Sequence, residues 1–194
     1  MISTSGTTGT PKLICYNLDS LMKTSKNDVA KGADFKWGLC YDLNRFAGLQ
    51  VYLQAIASGS PLTITESSDE LTDIVKLFVD KNVTCMSATP SFWRKVLMTK
   101  GSERLELKRI TLGGEISDQT VLSSLKKHYE RSHIVHIYAS TEAGVGFSVK
   151  DVLEGFPADF IGPSKLSSVE LKIADSILWI KSDRAASAIL NGSI

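Results

Sequence analysis

The feature that most constrains the fold is a repeated alternation of β-rich runs with segments of helical spacing. The run FKWGLCY, over residues 35–41, is typical of a strand, and the apolar residues after it recur at helical spacing until Gly59. This pair of patterns recurs three times, and a last β-rich run, HIVHIY, covers residues 133–138. Because each crossover must return the chain to the same sheet, the order predicts a doubly wound, mostly parallel α/β sheet with helices on both faces.

Two of the predicted helices carry start signals. Thr89 and Pro90 form an N-cap and a first-turn pair. Ser67 and Glu70 have the spacing of a capping box at the start of another helix. After Gly146 the pattern changes, and the segments VELKIAD and SILWIKS alternate across a tight connection, which predicts an antiparallel hairpin in a small β-rich segment.

Composition excludes several classes of protein. The 194 residues are 43% hydrophobic, which suits a globular core, and the net charge of +1 without a long basic run argues against a nucleic-acid partner. Three cysteines without a Cys-x-x-Cys pair predict neither a disulfide framework nor a zinc knuckle. No stretch approaches the roughly 18 apolar residues of a membrane span, and we expect a cytoplasmic protein.

Polar residues follow two predicted strands at the edge where ligands bind in open α/β sheets. Gly113-Gly114-Glu115 follows RITL, and YASTEAG, over residues 138–144, follows HIVHI. The glycines would let a flat ligand lie against the backbone, and Glu115 offers a carboxylate. The alternatives are a tight strand-to-helix turn for the first segment and a polar surface loop for the second.

The segment STSGTTGTPK, over residues 3–12, has the composition of an anion-binding loop. Its glycines allow backbone amides to converge on anionic oxygens, its hydroxyls can donate to phosphate, and Lys12 can neutralise charge. It is not a Walker A loop, because Pro11 and Leu13 flank the lysine where that motif has glycine and then serine or threonine. A solvated leader is the alternative, although the strand-like run LICY follows directly.

STSGTTGTPK resembles the phosphate-binding signature of the adenylate-forming superfamily, which includes acyl-CoA synthetases, peptide-synthetase adenylation domains and luciferases. LGGE and YASTEAG resemble two further motifs of that superfamily in the same order, and SILWIKS resembles the strand before its ribose-binding segment. The resemblance covers nearly the whole chain. It implies that a carboxylic acid attacks ATP to give an acyl-adenylate and pyrophosphate, followed by transfer to coenzyme A or to the phosphopantetheine of a carrier protein.

The resemblance also implies residue roles around ATP and Mg²⁺. Tyr138 would stack on or beside adenine, with the backbone of Gly114 and Glu115 along the base. Thr141 would reach the α-phosphate, and Glu142 would hold Mg²⁺ as a hard oxygen ligand. The residues that would wrap the β- and γ-phosphates are Thr4, Ser5, Gly6, Thr7, Thr8, Gly9 and Lys12.

Catalysis is then expected to rest on positioning and charge neutralisation by Lys12, Thr141 and Glu142, with Thr4 also near the metal. Two positions depart from the superfamily pattern, since Ala139 replaces a usual glycine and Arg45 lies where many relatives carry a histidine. Arg45 would pair with a second carboxylate on the substrate or form a surface salt bridge, and we assign it no catalytic role.

His133 and His136 are three residues apart in a predicted strand and face opposite sides, which argues against a shared metal site. We divide the chain into a phosphate-loop segment with a strand and a helix (1–34), a doubly wound nucleotide-binding subdomain (35–149) and a truncated β-rich segment (150–194).

The sequence also suggests a piece of a longer enzyme. Only Met1 and Ile2 precede Ser3, and AASAILNGSI ends the chain without a clear element, so we expect no strand before the loop and no terminal strand. The superfamily's ribose-binding aspartate and C-terminal domain are also missing, and we expect this piece alone to be inactive. A non-catalytic nucleotide-binding or scaffolding module is the alternative, whereas a nucleotide hydrolase would need a water-positioning base that we do not find.

Overall fold

A computed structural model of the chain describes residues 1–4, 12–66, 68–162 and 169–190. These residues form eleven strands and six α-helices. The strands are β1 (Ile2–Thr4), β2 (Lys12–Cys15), β3 (Trp37–Leu39), β4 (Leu62–Ile64), β5 (Cys85–Ala88), β6 (Arg109–Gly113), β7 (His133–Ser140), β8 (Gly144–Val149), β9 (Val169–Ala174), β10 (Ile177–Ser182) and β11 (Ala188–Leu190). The helices are α1 (Leu18–Met22), α2 (Val29–Gly32), α3 (Phe46–Ala57), α4 (Leu71–Asp80), α5 (Pro90–Met98) and α6 (Gln119–His128).

The central sheet has six strands in the order β4-β3-β5-β6-β7-β8. The first five are parallel to one another, which confirms the predicted doubly wound sheet. The sixth, β8, pairs antiparallel with β7 and was not predicted. Its sequence GVGFSV carries two glycines, which interrupt the apolar alternation by which a strand is recognised.

Helices cover both faces of this sheet. Val51 and Ala55 of α3 pack with Trp37, Leu39 and Cys85 on one face. Helices α4, α5 and α6 bury the apolar side chains of β5, β6 and β7 on the other face, in a core that includes the fully buried Trp93. None of the helices in the described ranges is long and apolar enough to cross a bilayer.

The two predicted helix starts have different outcomes. Thr89 caps α5 by accepting a hydrogen bond from the Phe92 amide (3.2 Å), with Pro90 in the first turn, as predicted. The capping box before α4 is wrong, because the helix begins only at Leu71 and Glu70 is its N-cap residue, without a side-chain cap. Ser67 lies outside the described residues.

The hairpin predicted from VELKIAD and SILWIKS is confirmed as β9 and β10. Asp175 and Ser176 join the strands with φ of 53° and 60°, the left-handed pair that a two-residue hairpin turn uses. Leu171 and Val169 of this hairpin pack against Phe147 of the central sheet. The β-rich segment is therefore attached to β8 through a shared apolar core.

A three-stranded antiparallel sheet corrects two predictions about the chain ends. Residues Ile2–Thr4 form a strand before the glycine- and threonine-rich loop, and Ala188–Leu190 form another strand near the end. Both flank β2, in the order β1-β2-β11. Three-residue strands are too short to show a periodic pattern, and both depend on pairing with β2. This sheet also links segment 1–34 to segment 150–194.

Candidate functional site

The STSGTTGTPK segment begins in β1 and ends in β2, and these two strands pair with each other at the base of the loop. Thr4 and Lys12 lie directly opposite each other in the β1–β2 register, so their side chains share one face of the sheet. Ile2 lies two residues before Thr4, and Ile14 lies two residues after Lys12, so both isoleucines point to the same face as that pair. They are 5% and 0% exposed, respectively. The Thr4 and Lys12 side chains therefore point to the inner side of this sheet.

The Thr4 hydroxyl is buried and has no hydrogen-bond partner in the part of the chain that the structure describes. A buried hydroxyl without a partner is costly, so this atom is suited to contact an incoming polar group. Ser5, Gly6, Thr7, Thr8 and Gly9 lie outside the described residues, so the roles expected for them stay predictions.

Arg45 contacts the strand that leads into this loop. Its guanidinium Nη1 donates a hydrogen bond to the Ser3 carbonyl oxygen at 3.2 Å. Arg45 immediately precedes α3, so the helix start holds β1 through this contact.

The residues Thr141, Glu142 and Ala143 form the turn between β7 and β8. Ser140 and Gly144 pair across its base, and the Ala143 amide donates to the Ser140 hydroxyl at 3.0 Å. The turn therefore presents Thr141 and Glu142 beyond the carboxyl end of β7, where the sequence predicts ligand-binding residues.

The segment between β10 and β11 packs against this turn. The Ala186 amide donates to the Glu142 carbonyl (2.8 Å), and Arg184 Nη1 donates to the Val145 carbonyl (3.0 Å). The Ser187 amide donates to the Cys15 carbonyl at 2.8 Å, which ties the same segment to β2. Sequence reasoning missed this support, because nothing in the local pattern of residues 183–187 indicates what they contact.

Gly144 is required by the close approach of this segment. It has φ +74°, and a Cβ atom there would lie 2.5 Å from the Arg184 carbonyl oxygen. We expect Gly144→Ala to destabilise the protein by about 2 kcal/mol or more, through left-handed strain and a backbone clash together. Gly155→Ala is the matched control, since Gly155 has φ +76° but no atom within 4 Å of a Cβ. Urea unfolding measures both, and equal losses of unfolding free energy would show that the clash is absent.

Tyr16 connects the turn to the β1–β2 hairpin. Its hydroxyl donates to the Thr141 carbonyl oxygen at 2.7 Å, and its ring stacks on Phe46 with centroids 5.6 Å apart. Burial, with the negative charge of Glu142, raises the pKa of Tyr16 to about 12. Tyr16 directly follows β2, whose first residue is Lys12, so one short strand joins the two polar segments.

The raised pKa of Tyr16 predicts an alkaline loss of stability. An ordinary tyrosine has a pKa near 10, so the contribution of Tyr16 is complete below about pH 10 and is lost as pH rises toward 12. The difference in 295 nm absorbance between the wild-type chain and Tyr16→Phe should show one phenolate with a midpoint near pH 12. A midpoint near 10 would mean that the hydroxyl is exposed.

In the segment after β6, the Glu115 side chain contacts a helix start, whereas the backbone of Gly114 is exposed. Glu115 accepts a hydrogen bond from the Ser91 amide (2.9 Å) in the first turn of α5, and the hydrogen bonds from Ser91 hold the pKa of Glu115 below its usual range. Its carboxylate is thus directed at a helix N-terminus. Gly114, with φ +82°, is exposed, so its backbone is open to a ligand.

Tyr41 is a rim residue that sequence reasoning missed. Its hydroxyl donates to the Gly113 carbonyl at 3.3 Å, and burial raises its pKa above the ordinary value. It follows β3, whose neighbours β4 and β5 lie on opposite sides, so it stands where the strand order reverses. Ligands of doubly wound sheets bind at that position, which is the signal that would have singled out Tyr41.

Tyr138 lies near the end of β7 with its aromatic ring partly exposed. Its ring lies parallel to that of Phe147, with centroids 5.2 Å apart and an interplanar angle of 8°. The side chain is 44% exposed. Phe147 thus supports one face of the ring while the residue stays open to solvent, an arrangement that can stack a planar ligand.

The sequence profile of the AMP-binding enzyme family matches residues 1–177. The chain belongs to this family. No curated protein sequence matches it.

Solved structures of similar fold include three from bacteria. The Klebsiella oxytoca NpsA N-terminal subdomain, in complex with 3-hydroxybenzoyl-AMSN, has a TM-score of 0.76 at 16% identity. The R195K variant of Escherichia coli MenE with bound OSB-AMS has a TM-score of 0.74 at 18% identity. Bacillus subtilis o-succinylbenzoate coenzyme A synthetase (MenE), in complex with ATP and magnesium, has a TM-score of 0.73 at 18% identity.

The alignments with NpsA and E. coli MenE each cover 97% of the present chain, and the alignment with B. subtilis MenE covers 98% of it. They cover 52% of the NpsA chain, 40% of the E. coli MenE chain and 42% of the B. subtilis MenE chain. The chain therefore spans about half or less of the length of these structures. At such identities the similarity shows a shared fold, in agreement with the sheet order described above.

Proposed function

We propose that the chain forms the nucleotide site of an ATP-dependent ligase that activates a carboxylic acid as an acyl-adenylate and then passes the acyl group to the thiol of coenzyme A or a carrier protein. One observation carries the proposal. Thr4 and Lys12 lie side by side on the inner face at the base of the STSGTTGTPK loop, and Tyr16 joins the same strand to the Thr141-Glu142 turn.

The proposed reaction brings two anions together. A carboxylate oxygen attacks the α-phosphorus of ATP, a new P–O bond forms, and the bond from that phosphorus to the β-phosphate oxygen breaks to release pyrophosphate. Groups that neutralise charge on the phosphates lower the barrier more than any covalent step by the protein. Lys12 would neutralise the departing pyrophosphate, and Thr141 would donate to the α-phosphate.

The residues present fit a magnesium ion carried by the nucleotide. Among the described residues no three His, Cys, Asp or Glu side chains cluster as a metal cage. Mg²⁺ that accompanies ATP needs only one or two carboxylates besides phosphate and water oxygens. Glu142 would supply the carboxylate, and the buried Thr4 hydroxyl, which has no hydrogen-bond partner among the described residues, would lie near the ion. When bound, the ion would neutralise phosphate charge and orient the leaving group.

The adenine would lie between the Tyr138 ring and the backbone at Gly114 and Glu115. The half-exposed, supported ring of Tyr138 and the open backbone at Gly114 suit a planar base. The bound ATP and acyl-adenylate analogues in the MenE and NpsA structures support a nucleotide site in a chain of this fold, by analogy.

Acid-dependent exchange of pyrophosphate into ATP tests this proposal. The protein in its natural full length should incorporate labelled pyrophosphate into ATP when, and only when, a suitable carboxylic acid from a broad panel is present. Exchange reports the reversible adenylation step without the thiol acceptor. Binding of ATP without exchange for any acid would instead support a non-catalytic nucleotide-binding module.

A further inference from the structure

We propose that Tyr16 is a positioning residue of this site, whose hydroxyl holds the Thr141-Glu142 turn at the distance from the β1–β2 hairpin that the reaction requires. The inference rests on the proposed function and adds a residue outside the four motifs in the sequence. Its starting point is the 2.7 Å hydrogen bond to the Thr141 carbonyl, which joins residues 125 positions apart.

The Tyr16 ring is itself held in place. It stacks on Phe46, a buried residue at the start of α3, and the preceding residue Arg45 donates to the Ser3 carbonyl of β1. The same helix start therefore contacts both the strand that enters the phosphate loop and the side chain that reaches the turn. This arrangement fixes the direction in which the Tyr16 hydroxyl points.

Two backbone carbonyls of the turn accept hydrogen bonds from residues outside it. Tyr16 holds the Thr141 carbonyl, and the Ala186 amide holds the Glu142 carbonyl. Loss of the first contact would leave the turn attached through the second and through the base of the β7–β8 hairpin. Thr141 and Glu142 would then be free to pivot relative to Lys12.

The electrostatic relation between Tyr16 and Glu142 agrees with this geometry. The charge of Glu142 contributes to the raised pKa of Tyr16, so the phenol and the carboxylate are close enough to interact. A displacement of about 1 Å in a positioned catalytic group can cost about 10²-fold in rate. Because the turn would keep its other contacts, the displacement and its cost should be smaller. We therefore expect removal of the Tyr16 hydroxyl to lower the rate of exchange by about 10-fold.

Tyr16→Phe and the matched control Tyr129→Phe separate positioning from stability. Tyr129 also donates its hydroxyl to a backbone carbonyl, that of Ser102 at 3.0 Å, and burial raises its pKa to about 12 as well. Tyr129 is the C-cap residue of α6 and lies in the core away from the turn. Each substitution removes a hydrogen bond from a tyrosine hydroxyl to a backbone carbonyl, part-buried at Tyr16 and buried at Tyr129, so both should cost about 1 kcal/mol of unfolding free energy.

The measurements are acid-dependent exchange at several Mg²⁺ concentrations and calorimetric ATP binding with and without Mg²⁺, on the full-length protein. Tyr16→Phe should exchange about 10-fold more slowly, need more Mg²⁺ and lose part of the gain in ATP affinity that Mg²⁺ provides. Its KM for ATP at saturating Mg²⁺ should change little. Tyr129→Phe should match the wild type in all of these, and equal behaviour of the two variants would overturn the inference.

A double-substitution cycle with Glu142→Gln tests the route of the effect. If Tyr16 acts through the turn, the losses in Tyr16→Phe and Glu142→Gln should not add, whereas additive losses would contradict the inference. Absence of exchange in the wild-type protein would refute the proposed function instead. In that case the calorimetric measurement tests the positioning role of Tyr16. The role is refuted if Tyr16→Phe leaves the gain in ATP affinity from Mg²⁺ unchanged, or if the wild-type protein does not bind ATP at all.

Discussion

Lys12→Ala is expected to lower the rate of acyl-adenylate formation in the full-length protein by about 10²-fold or more. Lys12 begins β2 opposite Thr4, and its side chain points to the inner face of the three-stranded sheet. Its loss would remove one of the groups that neutralise charge on the departing pyrophosphate. The measurement is pyrophosphate exchange at subsaturating ATP with the best acid of the panel.

Lys31→Ala is the control for loss of a lysine. The Lys31 side chain is 82% exposed and pairs with Asp28 one helical turn away, an interaction of small energetic value. This variant should exchange at the wild-type rate. If Lys12→Ala behaves in the same way, Lys12 is a surface lysine and the assignment of the phosphate loop loses its main support.

Glu142→Gln is expected to raise the Mg²⁺ concentration for half-maximal exchange by about 10-fold, because a neutral amide is a far weaker ligand for a hard cation than a carboxylate. The substitution preserves the shape of the side chain. The hydrogen bond from Ala186 to the Glu142 backbone carbonyl does not involve the side chain, so the turn should stay in place. A Mg²⁺ titration of exchange is the measurement.

The control for Glu142 is Glu106→Gln, which removes an exposed carboxylate from the loop before β6. Its Mg²⁺ titration should coincide with that of the wild type. A Glu142→Gln titration that also coincides would show that another group holds the ion and would remove Glu142 from the proposed site.

The parallel sheet was predictable because each of its strands lies within a β-rich run of four residues or more, such as FKWGLCY around the three-residue strand β3, and the helices between the strands carry their own apolar patterns. The helix over α5 shows this well, since Thr89, Pro90 and the apolar positions of Trp93 and Val96 are all local signals. The start of α4 was mispredicted because Glu70 serves as the N-cap residue rather than as the third helical residue. Capping-box spacing alone does not decide where a helix begins.

The rest of the site depends on contacts between distant residues. Strands β1 and β11 exist through their pairing with β2, and Tyr16 reaches Thr141 across 125 positions of sequence. Tyr41 similarly reaches Gly113, 72 positions away. No periodic pattern encodes such pairings. The motifs therefore indicated candidate polar residues, whereas the structure shows side chains, such as Tyr16, that contact the segments on which those residues lie.

The transfer of an acid oxygen to AMP tests the central claim most directly. The full-length protein would be supplied with ATP, a thiol acceptor and a carboxylic acid labelled with ¹⁸O in both carboxyl oxygens. Attack of the acid on the α-phosphorus places one labelled oxygen in the acyl–phosphate bridge, and that oxygen leaves with AMP when the thiol takes the acyl group. The account predicts AMP that carries one ¹⁸O atom and unlabelled pyrophosphate. Unlabelled AMP, or ADP and phosphate as the products, would contradict it.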